Sequence, residues 1–145
     1  MIPKVLMRYP GAKTRIAKHI LPHIGKPERY CELFAGAGAV LIQMLGAHVP
    51  KEIWINDFDI GVWQIWDSIH RYPSDLCRDL ETLVPSVESF AALDPNQPAE
   101  RIALHQWSYS GLGPGAGPIG GRDQSGAWKI DCRWDVEFGG SPPVD

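Results

Sequence analysis

Cysteine is scarce in this chain. Cys31, Cys77 and Cys132 are the only three among 145 residues. They are odd in number, far apart and form no Cys-x-x-Cys pair, which excludes a disulfide framework and a cysteine-built zinc site. A reduced, cytoplasmic setting fits that usage. Histidine is also sparse. His19 and His23 stand four apart, but Pro22 lies between them and no third ligand is near, so no metal centre is expected. No stretch approaches the roughly 20 apolar residues of a membrane span. The opening Met1-Ile2-Pro3-Lys4 lacks the apolar run of a signal peptide. Internal repeats are missing too, which excludes a solenoid.

A large excess of either charge is likewise absent, the net value being −3. The total hides a gradient. Residues 1–30 carry seven basic side chains against one acidic, whereas residues 51–100 carry three basic and ten acidic. A basic front suits phosphate, and an ordinary solvated helix face fits the same pattern. Hydrophobic residues make up 44% of the chain, enough for one domain of ordinary size with a buried core. Glycine concentrates from Gly111 onward, where the tail reads as loop-rich.

Punctuation divides the first half into short elements. Arg8-Tyr9-Pro10-Gly11-Ala12-Lys13 forms a turn. A helix is predicted from about Lys13 to Leu21, with Ile16, Ala17, Ile20 and Leu21 on one face and Pro22 as its stop. Tyr30 to Phe34 reads as a strand, Ala35 to Gly38 as a tight turn, and Ala39 to Leu45 as an apolar helix stopped by Gly46. Ile53 to Ile55 is a second strand. Ile60 to Ile69 is a third helix, with Trp63 and Trp66 on its buried face. Alternating helices and strands make this an α/β chain, with a parallel sheet covered by helices and its ligand at the carboxyl ends of the strands. Residues 74–105 favour helix, interrupted by Pro85, Pro95 and Pro98. A boundary is placed near residue 72.

The chemistry concentrates around the first strand–turn–helix unit. Gly36 and Gly38 allow a sharp turn and close approach of a ligand to the backbone. Asp57 follows Gly36 by 21 residues, at the end of the next strand. An acid at that spacing accepts hydrogen bonds from the two hydroxyls of a ribose. A dinucleotide fingerprint would have a third glycine where Leu41 stands, so nicotinamide and flavin cofactors fit less well. S-adenosylmethionine has a ribose but no pyrophosphate. Glu32 suits its ammonium and Lys13 its carboxylate. The alternative is that the glycines only connect two elements.

Taken together, Arg8-Tyr9-Pro10-Gly11-Ala12-Lys13, Glu32-Leu33-Phe34-Ala35-Gly36-Ala37-Gly38-Ala39-Val40 and Asn56-Asp57-Phe58-Asp59 resemble the Dam-type adenine-specific DNA methyltransferases in order and spacing. The resemblance spans roughly residues 8–60. It implies S-adenosylmethionine as cofactor, held by Tyr9, Lys13, Phe34, Gly36, Gly38 and Asp57. It implies double-stranded DNA as partner and adenine's exocyclic amine as methyl acceptor. A further likeness, Trp107-Ser108-Tyr109-Ser110-Gly111-Leu112 with the glycine-rich stretch behind it, implies a DNA-contacting loop followed by a strand pair. Tyr109 would wedge against bases, and Arg122 and Lys129 would meet phosphate. An ordinary loop with Tyr109 packed at its base is the competing description.

The family's Asp-Pro-Pro-Tyr tetrad, which activates the amine and stacks the flipped base, does not occur in these residues. Asp94-Pro95-Asn96 lacks its second half. Ser141, Pro142 and Pro143, followed by Val144, are the nearest stand-in. The expectation is therefore an incomplete Rossmann-like methyltransferase sheet. Residues 1–72 form its cofactor part, 73–135 a mainly helical and loop-rich target-recognition region, and 136–145 an irregular tail where the chain is cut short. Such a sheet exposes an edge, through which association with another molecule is expected. Rival readings are a non-catalytic DNA-binding remnant of a phage or mobile element, and a methyltransferase acting on a small molecule.

Overall fold

The computed structural model describes residues 4–120 and 129–130. Its elements run α1 (Ala17–Ile24), β1 (Arg29–Glu32), α2 (Ala39–Leu45), β2 (Glu52–Ile55), α3 (Ile60–Arg71), α4 (Pro73–Glu81), α5 (Val87–Ala92) and α6 (Pro98–Trp107). A short 3-10 turn, Tyr109–Gly111, follows α6. The helix–strand alternation read from the first half is present, and the whole is mixed α/β but mostly helical.

β1 and β2 pair in parallel, with Tyr30 opposite Ile53 and Glu32 opposite Ile55. Among the described residues this is the whole sheet, so each strand has one backbone edge without a strand neighbour. α2 has the predicted bounds. Gly38 at its start has φ +67, a left-handed conformation that glycine adopts without penalty, and Gly46 closes it. α3 starts on Asp59, whose carboxylate accepts from the Gly61 and Val62 amides. This is ordinary N-capping. Pro73 and Pro98 stand at the first turns of α4 and α6, where a missing N–H costs nothing. Pro98 therefore opens a helix rather than interrupting one.

The first helix departs from expectation. Residues 11–16 form successive turns, and α1 begins only at Ala17. It runs through Pro22 to Ile24 and ends at Gly25, whose φ is +68. Leu21 and Ile24, one on each side of the proline, both pack on the core. Burial of those side chains outweighs one lost backbone hydrogen bond. Ile16, predicted on the buried face, is 47% exposed. Ala17 of the predicted face is buried and Leu21 partly so, and Ile24 packs beside them in place of Ile16. On α3, Trp66 is buried as expected but Trp63 is 40% exposed. Val62, Ile65 and Trp66 take the core-facing positions.

α6 lies between two apolar clusters. Ala99 and Ile102 join the larger one with Met7, Leu41, Met44, Val62, Ile65, Trp66 and Leu76. Ala103, Leu104 and Trp107 join the smaller one with Phe90, Ile119 and Ile130. From Ile102 to Trp107 every residue of this helix is buried. It thus packs against both the elements of the first half and the loop that follows it.

Candidate functional site

The strand–turn–helix unit builds a cleft of about 460 Å³, a size suited to a small organic ligand. Tyr9 and Lys13 line it from the N-terminal turn, Glu32 from the end of β1, Phe34 and Gly36 from the turn, and Asp57 from the end of β2. Six of the seven residues proposed from sequence for the cofactor therefore face one space. Gly38 does not line it. A Cβ there would overlap the indole of Trp66, so Gly38 serves the packing of α3 against the turn.

Gly36 is fixed through each of its polar atoms. Its amide donates to Asp57 Oδ2 at 2.7 Å, and its carbonyl accepts from Trp66 Nε1 at 2.9 Å. Its φ is +48, and a Cβ would press on the Tyr9 ring at 3.1 Å. The turn is held further by the Leu6 amide donating to Ala37 O and the Ala35 amide donating to Asn56 O, at 2.9 and 3.0 Å. Asp57 Oδ1 accepts from the Asp59 amide at 3.0 Å. Its two oxygens offer about four acceptor sites, so two remain open to a ligand.

The charged ends of the cleft have opposite signs. Lys13 Nζ donates to Gly11 O at 2.7 Å and keeps two further donors for a carboxylate. Burial raises the Glu32 pKa above the usual carboxylate value, while hydrogen bonds from Tyr30 Oη and the Leu41 amide pull it down. Leu41 belongs to the first turn of α2, so the carboxylate also meets the positive end of that helix. Burial, then the nearby carboxylates of Asp57 and Asp59, push the Tyr9 phenol up, and Tyr9 stays neutral. Phe34 is 80% exposed and presents a free aromatic face at the cleft. The cleft thus brings together carboxylate acceptors, a cation and an exposed aromatic ring.

Two residues of α6 that sequence reasoning missed stand behind this cleft without lining it. Arg101 Nη2 pairs with Asp59 Oδ2 at 2.5 Å, and its Nε donates to His105 Nε2 at 3.2 Å. The His105 ring lies 5.1 Å from that of Tyr9, and its Nδ1 bonds Gly111 O at 3.0 Å. Burial, followed by the Arg101 charge, lowers the His105 pKa, although the bond to Gly111 opposes the change. No spacing rule connects Asp59 to a residue 42 positions away.

The predicted recognition loop forms a hairpin-like turn. Tyr109 N donates to Gly117 O at 3.0 Å and Ile119 N to Trp107 O at 2.7 Å, with an antiparallel bridge between Ser108 and Pro118. Tyr109 is 65% exposed, not packed at the loop's base. Arg8 ties this turn to the N-terminal segment. Its amide donates to Gln106 Oε1 at 3.1 Å, and its guanidinium reaches the carbonyls of Gln106 and Ser108. Lys129 is exposed. Arg122, Ser141, Pro142 and Pro143 lie outside the described residues. Among the described residues no cluster of His, Cys, Asp or Glu suits a metal ion, and no helix is long and apolar enough to cross a membrane.

Residues 9–100 match the model of one protein family, the D12 class N6 adenine-specific DNA methyltransferases. No curated protein matches the chain.

Proposed function

The chain belongs to the D12 class of N6 adenine-specific DNA methyltransferases, and from that premise we propose that its cleft binds S-adenosylmethionine for methylation of adenine in DNA. The observation that carries this reading is the bond from the Gly36 amide to Asp57, in a cleft that Lys13 and Glu32 also line. Asp57 takes the two ribose hydroxyls. Lys13 pairs with the carboxylate of the methionine end and Glu32 with its ammonium, each as a charge-assisted contact. Phe34 lies against the adenine. The cofactor supplies an electrophilic methyl group on a sulfonium. The protein's part is to orient that group and keep the polar ends anchored.

DNA approaches from the side of the 108–119 turn. Tyr109 contacts bases, and Lys129 and Arg122 contact phosphates. Residues 1–72 serve the cofactor and residues 73–135 the target. No Asp-Pro-Pro-Tyr tetrad occurs among the 145 residues, and Ser141-Pro142-Pro143 has neither the carboxylate nor the aromatic ring the acceptor amine needs. These residues on their own therefore bind the methyl donor without transferring it.

Equilibrium titration tests the reading. S-adenosylmethionine should saturate at one per chain while NADH does not bind. Asp57→Asn should weaken the interaction by about thirtyfold, the equivalent of about 2 kcal/mol for hydrogen bonds to a charged group. Equal affinity of the variant would remove Asp57 from the site. Transfer of labelled methyl to duplex DNA by the chain alone would overturn the inactivity.

A further inference from the structure

Helix α6 reaches the glycine turn by two separate routes, and both end on Gly36. On the first, Arg101 holds the Asp59 carboxylate at 2.5 Å. The Asp59 amide holds Asp57, and Asp57 holds the Gly36 amide. On the second, the His105 ring packs on Tyr9, and the Tyr9 ring lies against the Gly36 Cα. Arg101 and His105 are one helical turn apart and bonded to each other, so the two routes share a root.

The surrounding backbone is shaped to admit this pair. Gly61 would place a Cβ 2.8 Å from the Arg101 guanidinium, and it is not one of the positive-φ glycines. A side chain there would have to displace the arginine's head group, backbone conformation posing no obstacle. Gly113 would drive a Cβ into the His105 imidazole. The Arg101 side chain is only 13% exposed. Desolvating a guanidinium to this degree is costly unless it is fully paired. A surface-independent stabilising role would be met more cheaply by an apolar side chain.

We propose that Arg101 and His105 are positioning residues for the cofactor cleft, Arg101 setting Asp57 through Asp59 and His105 setting Tyr9 by direct ring contact, and that they do so only while His105 is neutral. This rests on the cofactor reading above. Arg101 can only donate, so His105 Nε2 must accept, and the ring's one proton sits on Nδ1 facing Gly111 O. A second proton would set N–H against N–H across 3.2 Å. The groups facing the ring are Arg101 on its own helix, Asp59 from the start of α3, Tyr9 from the N-terminal turn and the Gly111 carbonyl. Acid then disconnects Arg101 from His105 and loosens the cleft. Neither residue lies in the 9–100 stretch matched by the family model.

The test uses the whole chain and S-adenosylhomocysteine as probe, in steps from about pH 7.5 down to about pH 4.5, because burial moves the His105 titration below the ordinary histidine value. Arg101→Met should weaken binding by about tenfold, and Arg101→Lys, which keeps a partner for Asp59, should recover part of that. Wild type should bind several-fold more weakly at the lowest pH. His105→Asn keeps a donor for Gly111 but cannot gain a charge, so its affinity should fall less with acid than that of wild type, the remainder reporting Glu32 in the cleft. Amide exchange at Gly36 in the free chain gives a readout that needs no ligand, and it should accelerate in Arg101→Met and His105→Asn. The proposal is overturned if both variants bind and exchange as wild type does, or if the acid weakening survives unchanged in His105→Asn. Should wild type bind no probe, the cofactor reading fails, and Gly36 exchange alone decides whether the α6 pair positions the turn. Should Arg101→Met not fold, Arg101→Lys and His105→Asn carry both readouts.

Discussion

The turns at residues 35–38 and 109–113 both depend on positive φ, yet they face opposite ways. In the first, Trp66, Asp57 and Tyr9 hold the backbone from behind and beside it, and the open side is a cleft. In the second, buried polar groups fill the inside. Ser108 Oγ accepts from the Gly113 amide at 2.8 Å, and His105 takes the Gly111 carbonyl. Gly111 and Gly113 lie hard against Arg8 and His105, and the outside presents Tyr109 and Leu112 to water. The concave turn suits a small molecule that needs hydrogen bonds. The convex one suits a larger partner that needs an exposed aromatic ring. α6 supports both through one pair of side chains.

The largest expected effect breaks either turn from within. Gly38→Ala and Gly113→Ala each combine a left-handed backbone with a Cβ inside an aromatic or imidazole ring. Strain and overpacking together should cost roughly 3 kcal/mol. Gly115→Ala, with φ +86 but open space around it, should cost only about 1 kcal/mol. Denaturant midpoints of the three variants measure the difference. Equal losses would mean that backbone conformation, not packing, shapes both turns.

Protonation of His105 should act at intermediate strength. Its pKa in the folded chain is lowered, so the unfolded chain binds the proton more readily. Its contribution to stability is complete above the ordinary imidazole value of 6.5 and is lost as pH falls below it. Stability measured from pH 8 downward should therefore decline through this window, and His105→Asn should remove that decline. A decline that persists in the variant would place its origin in another group.

The smallest effect separates display from support. Tyr109→Ala removes a side chain that is mostly in water, and stability should change by less than about 0.5 kcal/mol. Its DNA affinity should fall while affinity for the methyl donor stays. Ser110 is the one non-glycine among the described residues with positive φ. Ser110→Gly should leave stability unchanged or raise it by about 0.5 kcal/mol, relief of left-handed strain being partly offset by greater freedom of the unfolded chain.

What was readable beforehand follows the distance over which each feature is determined. The bounds of α2 and the place of Asp57 were legible because Gly36, Gly38 and Gly46 act on their immediate neighbours, and because a strand–turn–helix unit fixes how far off the next strand must end. The course of α1 through Pro22 was not, because the burial of Leu21 and Ile24 is decided by α2 and the sheet. Trp63 and Trp66 share a helical stripe in sequence, and only packing against α6 and the glycine turn decides which is covered. The bonds from Arg101 to Asp59 and from Arg8 to Gln106 join residues 42 and 98 positions apart. Arg8 was legible only as part of the Arg8–Lys13 motif and Arg101 not at all, because their partners are chosen by the fold and not by neighbours in sequence.

Binding of S-adenosylhomocysteine and of its 2′,3′-dideoxy analogue to wild type and to Asp57→Asn completes a thermodynamic cycle on the contact itself. If the Asp57 carboxylate holds the ribose hydroxyls, removing either partner should weaken binding by about thirtyfold, and removing both should weaken it little further. Losses that multiply across the cycle would show that the ribose lies elsewhere.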